Sequence, residues 1–501
     1  MKRFFYLLFF VFCGCLYAGP LLIYNQYPRV WNMDFKEMTK YIPKIKQLRF
    51  NVVWVNPFFQ CSDEGVERVN KFTGEVLKVK GSLYAMKLDQ NGKPEMNDPE
   101  DPENIKKYTE AIKMQGMIPI FDLVLNHIAK DSTLVQKKPE WFKKPDSHWD
   151  DICPFNYTEG NREEIFNTIW APLLDQMKDL GFQGMRVDYG TDVDQATLKM
   201  CVSHLNKIIV EPLIVFGEAL IPPTKTVNRV LESCRDSGFT HLTNLSIFLS
   251  KQQISSGKNN GYQWFLNDLG LKKLTCSGKC SGFWTGTVGF SGSHDHGTTI
   301  LSYFLNQEIT HEDIENRLVA EGMQEDEDWE KQEKYVRGKL IQERLNSKTQ
   351  DQKLEIMKER MAIAAFSSDA GWYCFSSDEW MSEISKSPFV RSDGSPFHKE
   401  ENIPENSDSK SEIESFIENI NSAFLRLREA SGIFWVEMFY SNGYLIFVRH
   451  IYKDQLPADI VCVKIEKSAN DYTSKNIMGL LSGIHAELHS FEESVNIYIL
   501  K

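Results

Sequence analysis

Short apolar runs rich in β-branched residues alternate with amphipathic stretches along most of the chain. Runs at 21–24, 51–55, 118–125, 184–188, 212–217, 241–245 and 286–290 predict seven strands, and 361–366 with its surroundings predicts an eighth. Apolar residues fall at helical spacing between them, as in 38–48 and 105–114. Strands that alternate with helices pair in parallel. Eight such units close into a barrel, so the predicted fold class is α/β, a (β/α)8 barrel.

Several segments break this rhythm. Residues 128–180 carry Pro, Trp and Asp without a clear unit and predict an inserted subdomain after the third strand. Residues 311–360 are dense in Glu, Lys, Gln and Arg with apolar residues at helical spacing, which predicts long solvated helices whose charge needs no partner. Residues 395–412, rich in Pro, Ser, Asp and Asn, predict a surface loop. Strand-like runs at 434–439, 444–449, 460–465 and 495–500 predict a small antiparallel β domain. The expected division is a leader over 1–18, a barrel over 19–127 and 181–430, the insertion over 128–180 and a C-terminal β domain over 431–501.

The first residues change the compartment. Lys2 and Arg3 precede an apolar run at 4–12, followed by the small residues Gly14, Ala18 and Gly19. That order is a secretory signal, with cleavage expected after Ala18, and the run is too short for a comfortable membrane span. An uncleaved anchor is the other reading of the run, and Cys15 after Gly14 admits a lipoprotein. The expected location is secreted or periplasmic, with no membrane attachment after cleavage. Export would permit disulfides, and Cys276 and Cys280, flanking a Ser-Gly-Lys turn, are the best local pair. A zinc site needs about four ligands, and no second close Cys or His pair stands near them.

The net charge of −12 argues against a nucleic-acid partner, which would need a basic face. Aromatic residues make up 12% of the chain. They serve core packing and sugar stacking alike, and composition does not separate the two.

The polar residues at the C-terminal ends of the predicted strands are where barrel chemistry sits. The third strand leads through Asp122 to Asn126 and His127, the fourth through Arg186 to Asp188, the fifth to Glu218, and the seventh is followed by Ser293, His294, Asp295 and His296. Breaking a glycosidic bond needs two carboxyl groups flanking it, one as acid and base, the other as nucleophile or base. One acid at a strand end arises often by chance, whereas the ordered set is specific. Arg186 and Asp188 share a strand face because side chains alternate, and a neighbouring cation keeps a carboxylate ionised. The plainer readings are a barrel salt bridge for this pair, a satisfied loop histidine for His127 and a strand-end cap for Asn126.

These four segments resemble the signature segments of the α-amylase superfamily, glycoside hydrolase family 13, over most of residues 21–430. The resemblance implies a retaining mechanism with Asp188 as nucleophile, Glu218 as acid and base, and Asp295 holding the distorted sugar. It implies hydrogen bonds from His127 and His294 to sugar hydroxyls, substrate contacts from Asp122 and Arg186, and a stacking role for Tyr84 in the stretch 81–85. No organic cofactor is implied. Calcium is the one metal it suggests, with Asn126 as the single oxygen donor that can be named, although calcium takes six or more.

The chain also departs from the pattern. Most amylases carry Lys-His at the third and fourth positions after the nucleophile, where Thr191 and Asp192 stand here, and Ser293 replaces the usual Asn. Residues 151–157 resemble the superfamily's maltosyltransferases that use maltose 1-phosphate, and Lys143, Lys144 and Arg162 are the cations near enough in sequence to hold a phosphate. The expected function is a retaining hydrolase of α-glucosidic bonds in α-glucans or maltooligosaccharides. The alternatives are a glucan or maltosyl transferase and an inactive carbohydrate-binding relative.

Overall fold

The computed structural model describes residues 20–28, 34–62, 65–69, 76–80, 82–96, 102–144, 151–190, 192–211, 213–219, 236–243, 287–293, 299–305, 309–320, 329–366, 368, 370–376, 378, 408–427, 434–441, 444–451, 457–464, 486–492 and 495–500. The expected leader, Cys276, Cys280, Thr191, His294 and Asp295 lie outside the described residues.

In chain order the strands are β1 (Leu21–Gln26), β2 (Val52–Val55), β3 (Gly65–Val69), β4 (Val76–Lys80), β5 (Ile118–Leu123), β6 (His127–Ala129), β7 (Ile152–Pro154), β8 (Gly184–Val187), β9 (Ile214–Gly217), β10 (His241–Thr243), β11 (Thr287–Phe290) and β12 (Gly371–Phe375). A closed barrel forms in the order β1-β12-β11-β10-β9-β8-β5-β2, with every neighbouring pair parallel. Its strands read as apolar runs because both faces are covered. Alternate residues sort into two cores: Leu21, Ile23, Val52, Trp54, Ile120, Phe216 and Tyr373 fill the interior, while Leu22, Val53, Phe121, Met185 and Val215 pack outward under the helices. Rings dominate the interior, with Phe290 stacked on Tyr373 at 4.9 Å and Trp54 edge-on to Tyr373 at 5.3 Å.

The eighth strand is β12 and not 361–366, which forms the last turns of the helix Gln350–Phe366. Met361-Ala-Ile-Ala-Ala-Phe366 is apolar on every side because that end of the helix is buried all round, and a short apolar run does not distinguish a strand from a buried helix. The same helix buries Lys353, Lys358 and Arg360, so it is not the solvated helix the charge pattern predicts. Arg360 lies 5.1 Å from the Tyr303 ring, and Lys358 pairs with Glu412. Gly371 opens β12 at φ 145°, where a Cβ would stand 2.0 Å from the Leu21 carbonyl oxygen, so only glycine lets β12 close against β1.

Between β5 and β8 the chain leaves the barrel. β6 and β7 pair antiparallel, and a helical run then returns to the barrel through Arg162–Ile165, a wide π turn at Phe166–Trp170, and Ala171–Asp179. Pro172 lacks the N–H that a regular turn would use, and the wide turn accommodates it. This run falls within the stretch that the sequence pattern reads as having no clear unit. An unpredicted antiparallel hairpin, β3–β4, follows β2.

The helix Asp408–Leu427 begins inside the expected surface loop of 395–412 and buries Ile413, Phe416, Ile417, Ile420 and Phe424 at helical spacing. Five further strands, β13 (Phe434–Ser441), β14 (Tyr444–Ile451), β15 (Pro457–Lys464), β16 (Ala486–Glu492) and β17 (Val495–Leu500), make an antiparallel sheet in the order β13-β14-β15-β17-β16. Val463 of β15 is buried in the main core. Cys61, Cys153, Cys201 and Cys374 are free thiols.

Candidate active site

The acids that the strand pattern singles out meet on one cation. Gly184, Arg186 and Asp188 share a parity on and just past β8, as do Ile214, Phe216 and Glu218 on and just past β9, so these side chains turn inward. The ladder continues past the strand ends: Asp188 N–H donates to the Leu123 carbonyl and Glu218 N–H to the Val187 carbonyl, both at 3.0 Å. Asp188 and Glu218 are therefore seated by backbone pairing and not by loops.

Arg186 is 2% exposed. Its Nη1 donates to Asp122 Oδ1 at 3.0 Å and to Asp188 Oδ1 at 2.6 Å, and its Nη2 pairs with Glu218 Oε2 at 3.1 Å. One planar guanidinium thus reaches all three carboxylates, which excludes Asp188 and Glu218 standing at opposite ends of the barrel. Burial pulls the guanidinium down, but Asp122, Glu218 and Asp188 outweigh it and hold its pKa well above the ordinary value. Burial pushes Asp122 up to about 6 against the pull of Arg186.

A hydrogen-bonded chain supports Asp122 from the neighbouring β1–β2 side of the barrel, away from Arg186 on β8. Asn25 of β1 donates to Asn56 Oδ1 at 2.6 Å, Asn56 donates to Tyr84 Oη at 2.6 Å, and Tyr84 donates to Asp122 Oδ2 at 2.9 Å. Trp54 Nε1–H donates to the same oxygen at 3.1 Å, and its ring lies 4.9 Å from the guanidinium of Arg186. Burial, reinforced by Asp122, raises the Tyr84 phenol well above its usual range, so it stays protonated and donating. Sequence reasoning found Tyr84 and Asp122 but missed Asn25, Trp54 and Asn56. The available signal was a polar residue at the end of β2, where Asn56 follows Val55.

His127 stands at the start of β6, opposite Pro154. Burial lowers its pKa to about 4, with Asp151 pulling the other way, so the ring is neutral at ordinary pH and keeps one N–H to donate. Residues 151–157 pack beside it: Lys130 N–H donates to the Asp151 carbonyl, Phe155 N–H to the Asn126 carbonyl and Tyr157 O–H to the Leu125 carbonyl. Asp151 also accepts from Ser82 N–H, which ties this segment to the one bearing Tyr84. The Asn126 carbonyl is thus already engaged, and among the described residues no three His, Cys, Asp or Glu side chains gather to hold a metal.

Of the three cations considered for phosphate, Arg162 is bound twice to Asp194, at 2.8 and 3.1 Å, while Lys143 and Lys144 are exposed.

A further acid lies just past β12. Asp378 is fully buried, accepts Thr299 N–H at 2.7 Å and Thr299 Oγ1–H at 2.8 Å, and Ser291 Oγ lies 2.7 Å from Thr299 Oγ1. These bonds tie together the residues on either side of 294–298. Sequence reasoning missed Asp378 because it placed the eighth strand too early. Burial pushes this carboxyl up to about 7 against the two Thr299 donors. The folded protein therefore holds a proton that the unfolded chain releases near pH 4. The resulting stabilisation is complete below that pH and is lost as pH rises through about 7, and it amounts to at most about 4 kcal/mol. Thermal melts between pH 4.5 and 8 are expected to fall more steeply for the wild type than for Asp378→Asn; parallel curves would show that Asp378 carries no such proton.

The described residues thus form a parallel eight-stranded barrel with Asp122, Asp188 and Glu218 clustered at the C-terminal ends of its strands. No family model matches the sequence, and no curated protein matches it. Among solved structures, an α-amylase from Geobacillus thermoleovorans in complex with acarbose superposes with a TM-score of 0.60 at 12% identity, covering 97% of this chain and 99% of that one. An α-amylase from Lactobacillus plantarum gives 0.57 at 16% identity over 89% and 87%, and a trehalose-6-phosphate hydrolase from Bacillus licheniformis gives 0.56 at 10% over 97% and 100%. At these identities the likeness is one of fold.

Proposed function

We propose that the chain is a retaining α-glycoside hydrolase of the α-amylase type, acting on α-glucans or maltooligosaccharides. The observation that carries this reading is the buried guanidinium of Arg186 joining Asp122, Asp188 and Glu218 at the C-terminal rim of the barrel.

In the first step Asp188 attacks the anomeric carbon from the β face. The bond from that carbon to the glycosidic oxygen breaks, and the oxygen takes the Glu218 proton. Two donors hold Glu218 Oε2 in place for this transfer, Arg186 Nη2 at 3.1 Å and Tyr189 N–H at 2.9 Å. In the second step Glu218, now a carboxylate, removes a proton from water. The water oxygen bonds to the same carbon and releases Asp188, with net retention. The neutral His127 offers its N–H to a sugar hydroxyl, and Asp295 is assigned to the distorted sugar. Asn126 contributes a side-chain oxygen to a calcium ion if one binds, and no step depends on it. The leader at 1–18 makes this an exported enzyme, and the described residues contain no helix long and apolar enough to cross a membrane.

The test is product analysis after incubation with maltooligosaccharides. Rising free reducing ends support hydrolysis. Longer oligomers with no net reducing ends would replace it with transfer, and phosphate released from maltose 1-phosphate would show a phosphate-activated donor. Unchanged substrate would leave a sugar-binding relative.

A further inference from the structure

We propose that Tyr189 is the sugar platform on the leaving-group side of this site, the residue that holds the departing or accepting sugar beside Glu218. This rests on the hydrolase reading above and adds the residue that sets which leaving groups the site favours.

Five large hydrophobic side chains are exposed among the described residues, and Tyr189, at 47%, is the aromatic one. It directly follows the candidate nucleophile. Its backbone is left-handed, at φ 53°, a costly conformation for a residue with a Cβ. The surroundings show why the chain adopts it. Gly190 packs against Glu218 so closely that a Cβ would stand 2.9 Å from its carbonyl oxygen and 3.1 Å from its nitrogen. Tyr189 N–H donates to Glu218 Oε2 at 2.9 Å, and Asp192 N–H closes the turn onto the Tyr189 carbonyl at 2.9 Å. The turn wraps the acid and sends the ring outward. Partial burial raises the phenol, and the charges of Asp192, Glu218 and Asp188 add to it in that order.

The half-exposed ring is carried on the turn whose N–H holds Glu218, and Glu218 is the group that protonates the departing oxygen, so a sugar leaving on that side comes within its reach. The apolar face of a pyranose stacks on such a ring, and tyrosine supplies that area with few rotatable bonds to freeze. The chain lacks the Lys-His pair that most amylases place just beyond this point, and Asp192 there is exposed. Among the described residues of this turn the contact on offer is therefore aromatic and not cationic.

The experiment compares kcat/KM for maltotriose and for α-maltosyl fluoride. Both can deliver a maltosyl unit to Asp188, and they differ in whether glucose or fluoride leaves. Tyr189→Gly removes the ring but accepts the left-handed turn without strain, so the N–H to Glu218 is kept. Tyr189→Phe keeps the ring. For Tyr189→Gly the ratio of maltotriose to fluoride rates is expected to fall about tenfold, equivalent to about 1.4 kcal/mol, and for Tyr189→Phe it stays within about twofold. An unchanged ratio in Tyr189→Gly, including an equal loss on both substrates, overturns the platform and leaves the hydrolase reading intact. Wild-type protein inert on both substrates removes that reading, and the platform with it.

Discussion

Asp188→Asn is expected to lower kcat/KM on maltooligosaccharides by on the order of 10⁴-fold or more, about 5 kcal/mol of lost transition-state stabilisation. The amide keeps the size and one acceptor oxygen, so Arg186 Nη1, now 2.6 Å from Asp188 Oδ1, retains a partner. It cannot form the glycosyl ester, and among the described residues Asp122 does not replace it: it is 8% exposed and its oxygens are taken by Arg186, Tyr84 and Trp54. Stability should move the other way. Three carboxylates share one guanidinium, so the site carries surplus negative charge, and neutralising one member relieves repulsion. Steady-state kinetics and a thermal melt check both halves. An inactive protein with an unchanged or raised Tm fits; residual activity within tenfold of wild type would remove Asp188 from the chemistry.

Arg186→Met is expected to destabilise the fold by about 3–5 kcal/mol, because it strands Asp122, Asp188 and Glu218 without their cation. Arg186→Lys should recover little: a single ammonium cannot reproduce Nη1 reaching Asp122 and Asp188 while Nη2 reaches Glu218. Arg186 opposes the effect of burial at Asp122, so its removal drives that carboxyl above about 6 and protonates it near neutral pH. Adding Asp122→Asn to Arg186→Met should therefore restore part of the lost stability, a coupling visible in denaturant unfolding of the four proteins of the cycle. Strict additivity would show that the pair does not interact as the geometry requires.

The parts of the fold that were legible in the sequence are those where burial is two-sided. Runs such as 52–55 and 118–121 announce barrel strands because burial on both faces keeps them apolar until the rim, and the first polar residues that follow, Asn56 and Asp122, belong to the site. The same property misled at 361–366, where a helix end buried all round looks like a strand, and that error concealed Asp378. The helical run from Arg162 to Asp179 was hidden by Pro172 and its wide turn. Asn25 and Asn56 carry no motif; their role exists only through three-dimensional contact, Asn25 with Asn56 and Asn56 with Tyr84. Tyr189 gave no signal either, since its meaning lies in the left-handed turn that Gly190 permits. His294, Asp295 and the Cys276–Cys280 pair remain expectations from sequence.

The most direct test of the central claim is to trap the intermediate. A 5-fluoro-α-glycosyl fluoride carries a good leaving group that lets the first step proceed, while its ring fluorine slows hydrolysis of the ester. Peptide mass spectrometry of the treated protein is predicted to find one added glycosyl group, on the peptide bearing Asp188. Turnover of maltooligosaccharides with the adduct on another residue, or with no adduct at any reagent concentration, would contradict the account.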